Sequence, residues 1–113
     1  MALESAMYMR SEQYSSVYSM LRKIPKGKVT TYGTIAKKLA LNPRFVGRIL
    51  SKNEHQKIYP CYKVVQSDGT IGGYTLRNTT SKRSLAIKKK KLVSDGVRFV
   101  RGKIPKEFIL YRL

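Results

Sequence analysis

The sequence is poorest in acid. Six carboxylates (Glu4, Glu12, Glu54, Asp68, Asp95 and Glu107) face 24 lysines and arginines, giving a formal net charge of +18 on 113 residues. Such an imbalance repels itself in the folded state and is tolerated where the partner is a polyanion. DNA, RNA and an anionic membrane surface all qualify, and charge alone does not choose between DNA and RNA. A single cysteine, Cys61, excludes an internal disulfide and any cysteine-cluster zinc site. No His/Cys/carboxylate cluster has metal-ligand spacing, so neither a metal nor another cofactor is expected. No stretch approaches the roughly 18 apolar residues of a membrane span, and Glu4 interrupts the N-terminus where a secretory signal needs an unbroken apolar run. An intracellular monomer is expected, in the cytoplasm or with the chromosome, with no membrane partner. Internal repeats and Gly/Ser linkers are also missing. One domain follows, residues 11–113, preceded by a short tail over residues 1–10.

What is present reads as helices followed by a small β element. Tyr14, Val17, Tyr18 and Leu21 fall at i, i+3, i+4, i+7 and continue to Ile24, which predicts a helix over about residues 11–23, stopped by Pro25 and Gly27. Thr30 and Thr31 offer N-caps to a second helix with Ile35, Ala36 and Leu39 on one face. Asn42-Pro43 then supplies an N-cap and a first-turn proline for a third helix. Its Phe45, Val46, Ile49 and Leu50 face a core, while Arg44 and Arg48 project elsewhere. Two short helices joined by a few residues, the second carrying exposed cations, make a helix-turn-helix pattern, although many two-helix corners never touch DNA. Ser67-Asp68-Gly69-Thr70 predicts a turn and Ile71-Gly72-Gly73-Tyr74 the return of a hairpin. A further helix is expected from Thr79 to about Val93, with the run Lys88 to Lys91 exposed. A strand and an Arg101-Gly102 turn close the chain. The expected fold is mainly α with a small β-wing, a winged helix-turn-helix DNA-binding domain.

A lone cysteine is usually a small core hydrophobe. Cys61 has a different setting. Pro60 argues against a regular central strand over Ile58 to Val65, a Gly-rich turn follows, and the surrounding field is positive. An unperturbed thiol has a pKa of about 8.5, so nearby cations such as Lys63 would favour its thiolate. A nucleophile and a buried structural thiol both remain open on these grounds.

The segment Ile58-Tyr-Pro-Cys-Tyr-Lys-Val-Val65, followed by Ser67-Asp-Gly-Thr-Ile-Gly-Gly-Tyr74, resembles the Pro-Cys-His-Arg-Val-Val and Gly-Gly-Tyr signature of the O6-alkylguanine-DNA alkyltransferases. Val17 to Pro25, Gly27 to Tyr32 and Asn42-Pro-Arg-Phe-Val-Gly47 resemble the same family's entry to its helix-turn-helix, so the likeness covers about residues 13–105. The large N-terminal domain that many members carry is absent from it. The resemblance implies repair of double-stranded DNA by irreversible transfer of an alkyl group from guanine O6 to Cys61. Arg44 matches the arginine that fills the stack when the damaged nucleotide is rotated out, and the helix from residue 43 to 52 would lie in the minor groove. Gly47 would permit close approach, with Thr31 and Arg48 as further DNA contacts. Tyr32 matches the tyrosine that donates to the guanine ring. Val64, Tyr74 and Thr75 would line the base pocket, and Asn53 would brace the turn between helix and active-site loop. Extruding the base costs a few kcal/mol, and the minor groove offers little sequence information. Lesion-specific, sequence-tolerant and salt-sensitive binding is the expectation.

Three positions depart from that signature. The family's histidine after the nucleophile, linked to it through water and bonded to a Glu before a Gly, is here Tyr62, a poorer base at neutral pH. The Glu-Gly counterpart is Asp95-Gly96 if extra residues are allowed between Tyr74 and Gly96; an ungapped alignment puts a lysine there instead. The usual arginine is Lys63, which loses the fork geometry. Transfer with Tyr62 relaying the proton is the leading reading, and His55 is a second candidate base. A lesion sensor that binds without transfer is the alternative, although such relatives usually lack the cysteine. A plain winged-helix regulator is weaker still, since it needs neither the Pro-Cys nor the Gly-Gly-Tyr element.

Overall fold

The computed structural model describes residues 2–72, 75–76, 79–80 and 82–113, with side chains from residue 12 onward outside the two short strands of the wing. Helix α1 spans Ala2–Leu21, so the expected tail is the first half of a helix. The segment contains neither proline nor glycine, and Ala, Leu, Glu and Met all favour helix. Strand β1 (Val29–Thr31) leads directly into α2 (Tyr32–Leu39). Thr31 caps α2 as expected, its Oγ1 accepting from the Thr34 N–H at 3.0 Å. Ala40 adopts a left-handed conformation (φ 55°) that ends α2, and the Leu41 N–H donates to the Ala36 carbonyl. Asn42 then caps α3 (Pro43–Ser51) by accepting from the Arg44 N–H at 2.8 Å, with Pro43 in the first turn. The two helices of the expected helix-turn-helix are therefore joined by a three-residue corner.

Val46, Ile49 and Leu50 of α3 pack with Ile35 and Ala36 of α2 and with Val17, Met20, Leu21 and Ile24 to form the first core cluster. The Tyr18 hydroxyl donates to the Ile49 carbonyl at 2.8 Å, fixing α1 to α3. A second cluster (Val29, Val65, Leu92, Val97, Ile104 and Ile109) lies around a three-stranded sheet. In this sheet β1 is central and parallel to both β2 (Val64–Val65) and β5 (Ile109–Leu110). Three strands of two or three residues carry too little alternation to announce a parallel sheet in the sequence. Strands β3 (Thr75–Leu76) and β4 (Thr79–Thr80) form the separate antiparallel wing. The fold is the expected one, mainly helical with a small wing.

Two local expectations are corrected. Helix α4 spans Lys82–Ser94 and begins after Thr79 and Thr80, which belong to the wing. The lysine run is not a uniformly exposed face: Lys89 and Lys90 are exposed, Lys91 is half-buried, and Lys88 is fully buried beside Ser84 and Leu92. Residues 84, 88 and 92 are spaced four apart, one helical stripe facing inward.

Candidate active site

Pro60 stops strand β2 from starting early, and the chain makes one tight 3-10 turn, Cys61–Lys63, before Val64. Cys61 is buried on this turn at 6% exposure. Its N–H donates to the Tyr59 carbonyl at 2.8 Å, and the same carbonyl accepts from the Asn53 amide at 2.7 Å. Asn53 Oδ1 in turn accepts from the His55 N–H at 2.9 Å. Asn53 thus ties the end of α3, the loop after it and the cysteine turn into one unit, through three bonds of modest individual strength. Tyr59 stacks on Tyr18, with ring centroids 5.3 Å apart, which holds the loop against α1.

Burial pushes the Cys61 thiol up from its ordinary pKa, while a hydrogen bond from Asn53 and the charges of Lys88 and Lys91 pull it back. Lys63, the cation expected to assist, faces away from the thiol. Its ammonium donates to the Pro25 carbonyl at 2.7 Å, approaches the Ile24 carbonyl at 3.5 Å and pairs with Asp95 at 2.9 Å. The same Asp95 oxygen accepts from the Gly27 N–H at 2.8 Å. The role drawn for Asp95 from the resemblance, partner to the residue after the nucleophile, is therefore corrected: its carboxylate fastens the turn to the entry of β1. Tyr62 is half-buried between the two core clusters, with the Lys91 ammonium 5.8 Å from its ring centroid.

Tyr32 opens α2 within the first cluster. Burial, and secondarily the charge of Cys61, raises its phenol to about 12, so at neutral pH it is a hydrogen-bond donor. A Cβ on Gly47 would sit 3.9 Å from this ring, and one on Gly72, at φ +70°, would meet its hydroxyl at 3.1 Å. Gly72 lets the loop after β2 close on the tyrosine, whereas a Cβ at Gly47 would make only ordinary contact with the ring. Arg44 and Arg48 are exposed on α3, available to an external anion. Thr31 is corrected as a DNA contact, because it is buried at 1% and its hydroxyl is engaged with Thr34. His55 is exposed on its loop. Val64 is fully buried, and its carbonyl accepts from Lys88 Nζ at 2.7 Å. Thr75 lies in β3, and Tyr74 falls outside the described residues. Lys88 was missed by sequence reasoning, since it stands inside a lysine run; the signal was its place four residues from both Ser84 and Leu92.

The sequence matches the family model described as the 6-O-methylguanine DNA methyltransferase DNA-binding domain over residues 12–97. The chain belongs to that family. Relatives of this methyltransferase-family chain include a bifunctional methyltransferase/endonuclease of Picrophilus torridus, 41% identical over 93 residues, covering 80% of this chain and 29% of the relative. A methylated-DNA–protein-cysteine methyltransferase of Saccharolobus islandicus is 49% identical over 70 residues, 62% of this chain and 45% of that protein. The chain spans less than half the length of these curated relatives. Among solved structures, S. pombe Atl1 in complex with damaged DNA containing O6-carboxymethylguanine is similar at a TM-score of 0.72 and 28% identity, covering 88% of this chain and 95% of Atl1. The O6-methylguanine-DNA methyltransferase of Pyrococcus kodakaraensis is similar at 0.63 and 36% identity, covering 74% of this chain and 46% of that one. No described helix is long and apolar enough to cross a membrane.

Proposed function

We propose that this chain is an intracellular DNA-repair protein, a single-turnover transferase that takes the alkyl group from guanine O6 in duplex DNA irreversibly onto Cys61. The observation that carries this reading is the buried Cys61 thiol, joined through Asn53 to α3 and sharing its surroundings with the donor hydroxyl of Tyr32. Helix α3 offers Arg44 and Arg48 to the duplex, with Gly47 between them on the same helix. Arg44 replaces the extruded base in the stack. A cysteine sulfur attacks the alkyl carbon as the bond to O6 breaks, and Tyr32 donates toward the ring that receives the electron pair. The thiol's proton ends on guanine, and a stable thioether remains. Lesion-specific but sequence-tolerant binding follows from minor-groove docking, and affinity falls steeply with salt given the charge of +18.

Weighing the intact chain after incubation with a duplex containing O6-methylguanine tests this directly. The expected result is a gain of one methyl, located on Cys61 and lost in Cys61→Ser, which still binds the lesion. Tight lesion binding without a mass change favours the second reading, a sensor, which the similarity to S. pombe Atl1 over almost all of that chain supports. Indifference to the lesion sinks both. A further expectation concerns Tyr62, which lies half-buried between two clusters. Tyr62→His should leave the single-turnover rate intact or faster, because imidazole is the better base near neutral pH. A complete loss of transfer would assign the phenol a specific role.

A further inference from the structure

Residues 98–113, which lie just past the stretch matched by the family, carry five lysines and arginines against one carboxylate, Glu107. This segment packs on the second core cluster through Ile104 and Ile109, whereas α3, with Arg44 and Arg48, packs on the first. Arg98, Arg101, Lys103 and Lys106 are exposed, and none forms an ion pair among the described residues. Val100 and Lys103 exchange backbone hydrogen bonds at 2.8 and 3.0 Å across a two-residue turn. Both turn residues, Arg101 (φ 52°) and Gly102 (φ 78°), are left-handed. Asn, Asp or Gly normally fills the first of those places, so the chain keeps an arginine at the tip against its steric preference. The hairpin is anchored, because the Ile104 N–H donates to the Gly69 carbonyl at 2.9 Å. Two further cations flank the segment. Lys28 Nζ lies 5.9 Å from the Phe108 ring centroid and donates to the Glu107 carbonyl, and Lys89 Nζ lies 5.2 Å from the ring of Phe99. The carboxylates of this segment and of the Gly69 turn against it are Glu107 and Asp68, and Asp68 is already bonded to Thr70.

We propose that this surface (Arg98, Arg101, Lys103 and Lys106, flanked by Lys28 and Lys89) binds the phosphate backbone of a second segment of duplex DNA while α3 holds the first. The proposal rests on the reading of α3 as a duplex-binding helix and not on the transfer chemistry. Like charges gathered in this way repel one another, and phosphates relieve that repulsion while releasing counterions. An anionic membrane surface calls for a helix with an apolar face beside its cations, and here the cations stand on a tight hairpin and a single 3-10 turn. Duplex DNA is favoured over RNA by what α3 already holds, since neighbouring segments of one polymer are present at high effective concentration. Phosphate contacts carry no sequence information, so the second segment needs neither a lesion nor a particular sequence.

Bridging of two short undamaged duplexes, read as energy transfer between a donor label on one and an acceptor label on the other, tests the proposal with the full chain. One variant combines Arg98→Ser, Arg101→Asn, Lys103→Ser and Lys106→Ser. All four side chains are exposed and Asn suits the left-handed turn, so this variant is expected to fold. A control of equal net charge, Arg22→Gln, Lys23→Gln, Lys37→Gln and Lys38→Gln, removes exposed cations from the region of the first core. At low salt and with duplex in excess, the unaltered chain should bridge, the first variant about tenfold less or worse, and the control within about threefold of the unaltered chain. Methyl transfer from a short O6-methylguanine duplex should stay within about twofold in the first variant, because none of its changes touches the α3 contact. Undiminished bridging by the first variant, equal loss in both variants, or no bridging by the unaltered chain overturns the proposal. Preferential capture of hairpin RNA or of anionic phosphatidylserine vesicles through these same residues overturns it too. Methyl transfer without bridging sinks the second surface alone, and bridging without methyl transfer sinks the transferase reading alone.

Discussion

Asp95→Ala is expected to destabilise the domain by about 3–5 kcal/mol, the cost of breaking a buried ion pair by deleting one partner. The side chains are exposed by only 4% for Lys63 and 14% for Asp95, so water does little to replace the lost carboxylate. Lys63 keeps the Pro25 carbonyl at 2.7 Å, which satisfies one donor but leaves its charge uncompensated. The Gly27 N–H also loses its acceptor. Asp95→Asn separates the two effects. Its amide oxygen can still accept from Gly27 but carries no charge, so the loss should be roughly half as large. Adding Lys63→Met to Asp95→Ala should recover most of the stability, since two apolar groups leave no buried charge behind. Urea unfolding of the four proteins measures all of this. The folded fraction of Asp95→Ala should still transfer methyl at a rate within a few fold. A folded Asp95→Ala protein with no transfer would return Asp95 to the proton route that the family resemblance suggested.

The same pair explains how so basic a chain builds its site. Lys63 and Lys88 are the two lysines buried among the described residues; Lys63 points from the cysteine turn to Pro25 and Asp95, and Lys88 reaches from α4 to Val64. They are made tolerable by opposite means. Lys63 is compensated by a carboxylate, one of only six in the chain, and stays a structural cation. Lys88 bonds a carbonyl and a phenol, and burial drives it toward the neutral form. The first setting keeps a buried ammonium as a clamp, and the second favours the neutral amine.

Local chemistry made the helix-turn-helix legible. Thr31, Asn42 and Pro43 each announce a helix start by a mechanism that acts within three residues, and the structure keeps all three. Pro60 likewise foretold the break in the strand before Cys61. What escaped depends on distance along the chain. Nothing near Val29, Val64 or Ile109 specifies that they join one parallel sheet, because that pairing is made by residues 34 to 80 positions apart. The site divides in the same way. Cys61, Tyr32 and Asn53 were singled out as candidates by the family resemblance, whereas the partners of Lys63, Asp95 and Lys88 are set by tertiary packing. A run of four lysines conceals the one that points inward, since charge pattern alone reads as a solvated face.

Gly69→Ala is expected to cost about 3–4 kcal/mol, more than an ordinary turn substitution. Gly69 has φ +89°, a region where an L side chain costs about 1–2 kcal/mol by itself. An added Cβ would also fall 2.5 Å from the Ile104 carbonyl oxygen and 3.2 Å from the Ile104 nitrogen. Both are backbone atoms, and the Ile104 N–H donates to the Gly69 carbonyl at 2.9 Å, so the two segments cannot part without losing that bond. Ile104 is buried in the second core cluster with Val65, so the strain would spread to β2 and the cysteine turn just before it. Gly102→Ala is the control. Its φ of +78° carries the same conformational cost, but a Cβ there meets nothing within 4 Å, so it should lose only about 1–2 kcal/mol. The difference between the two variants, read from denaturant midpoints at equal slope, isolates the backbone collision. Equal losses would mean that the Gly69 turn and the Ile104 segment separate freely, and that the loop behind the cysteine turn is held by the core alone.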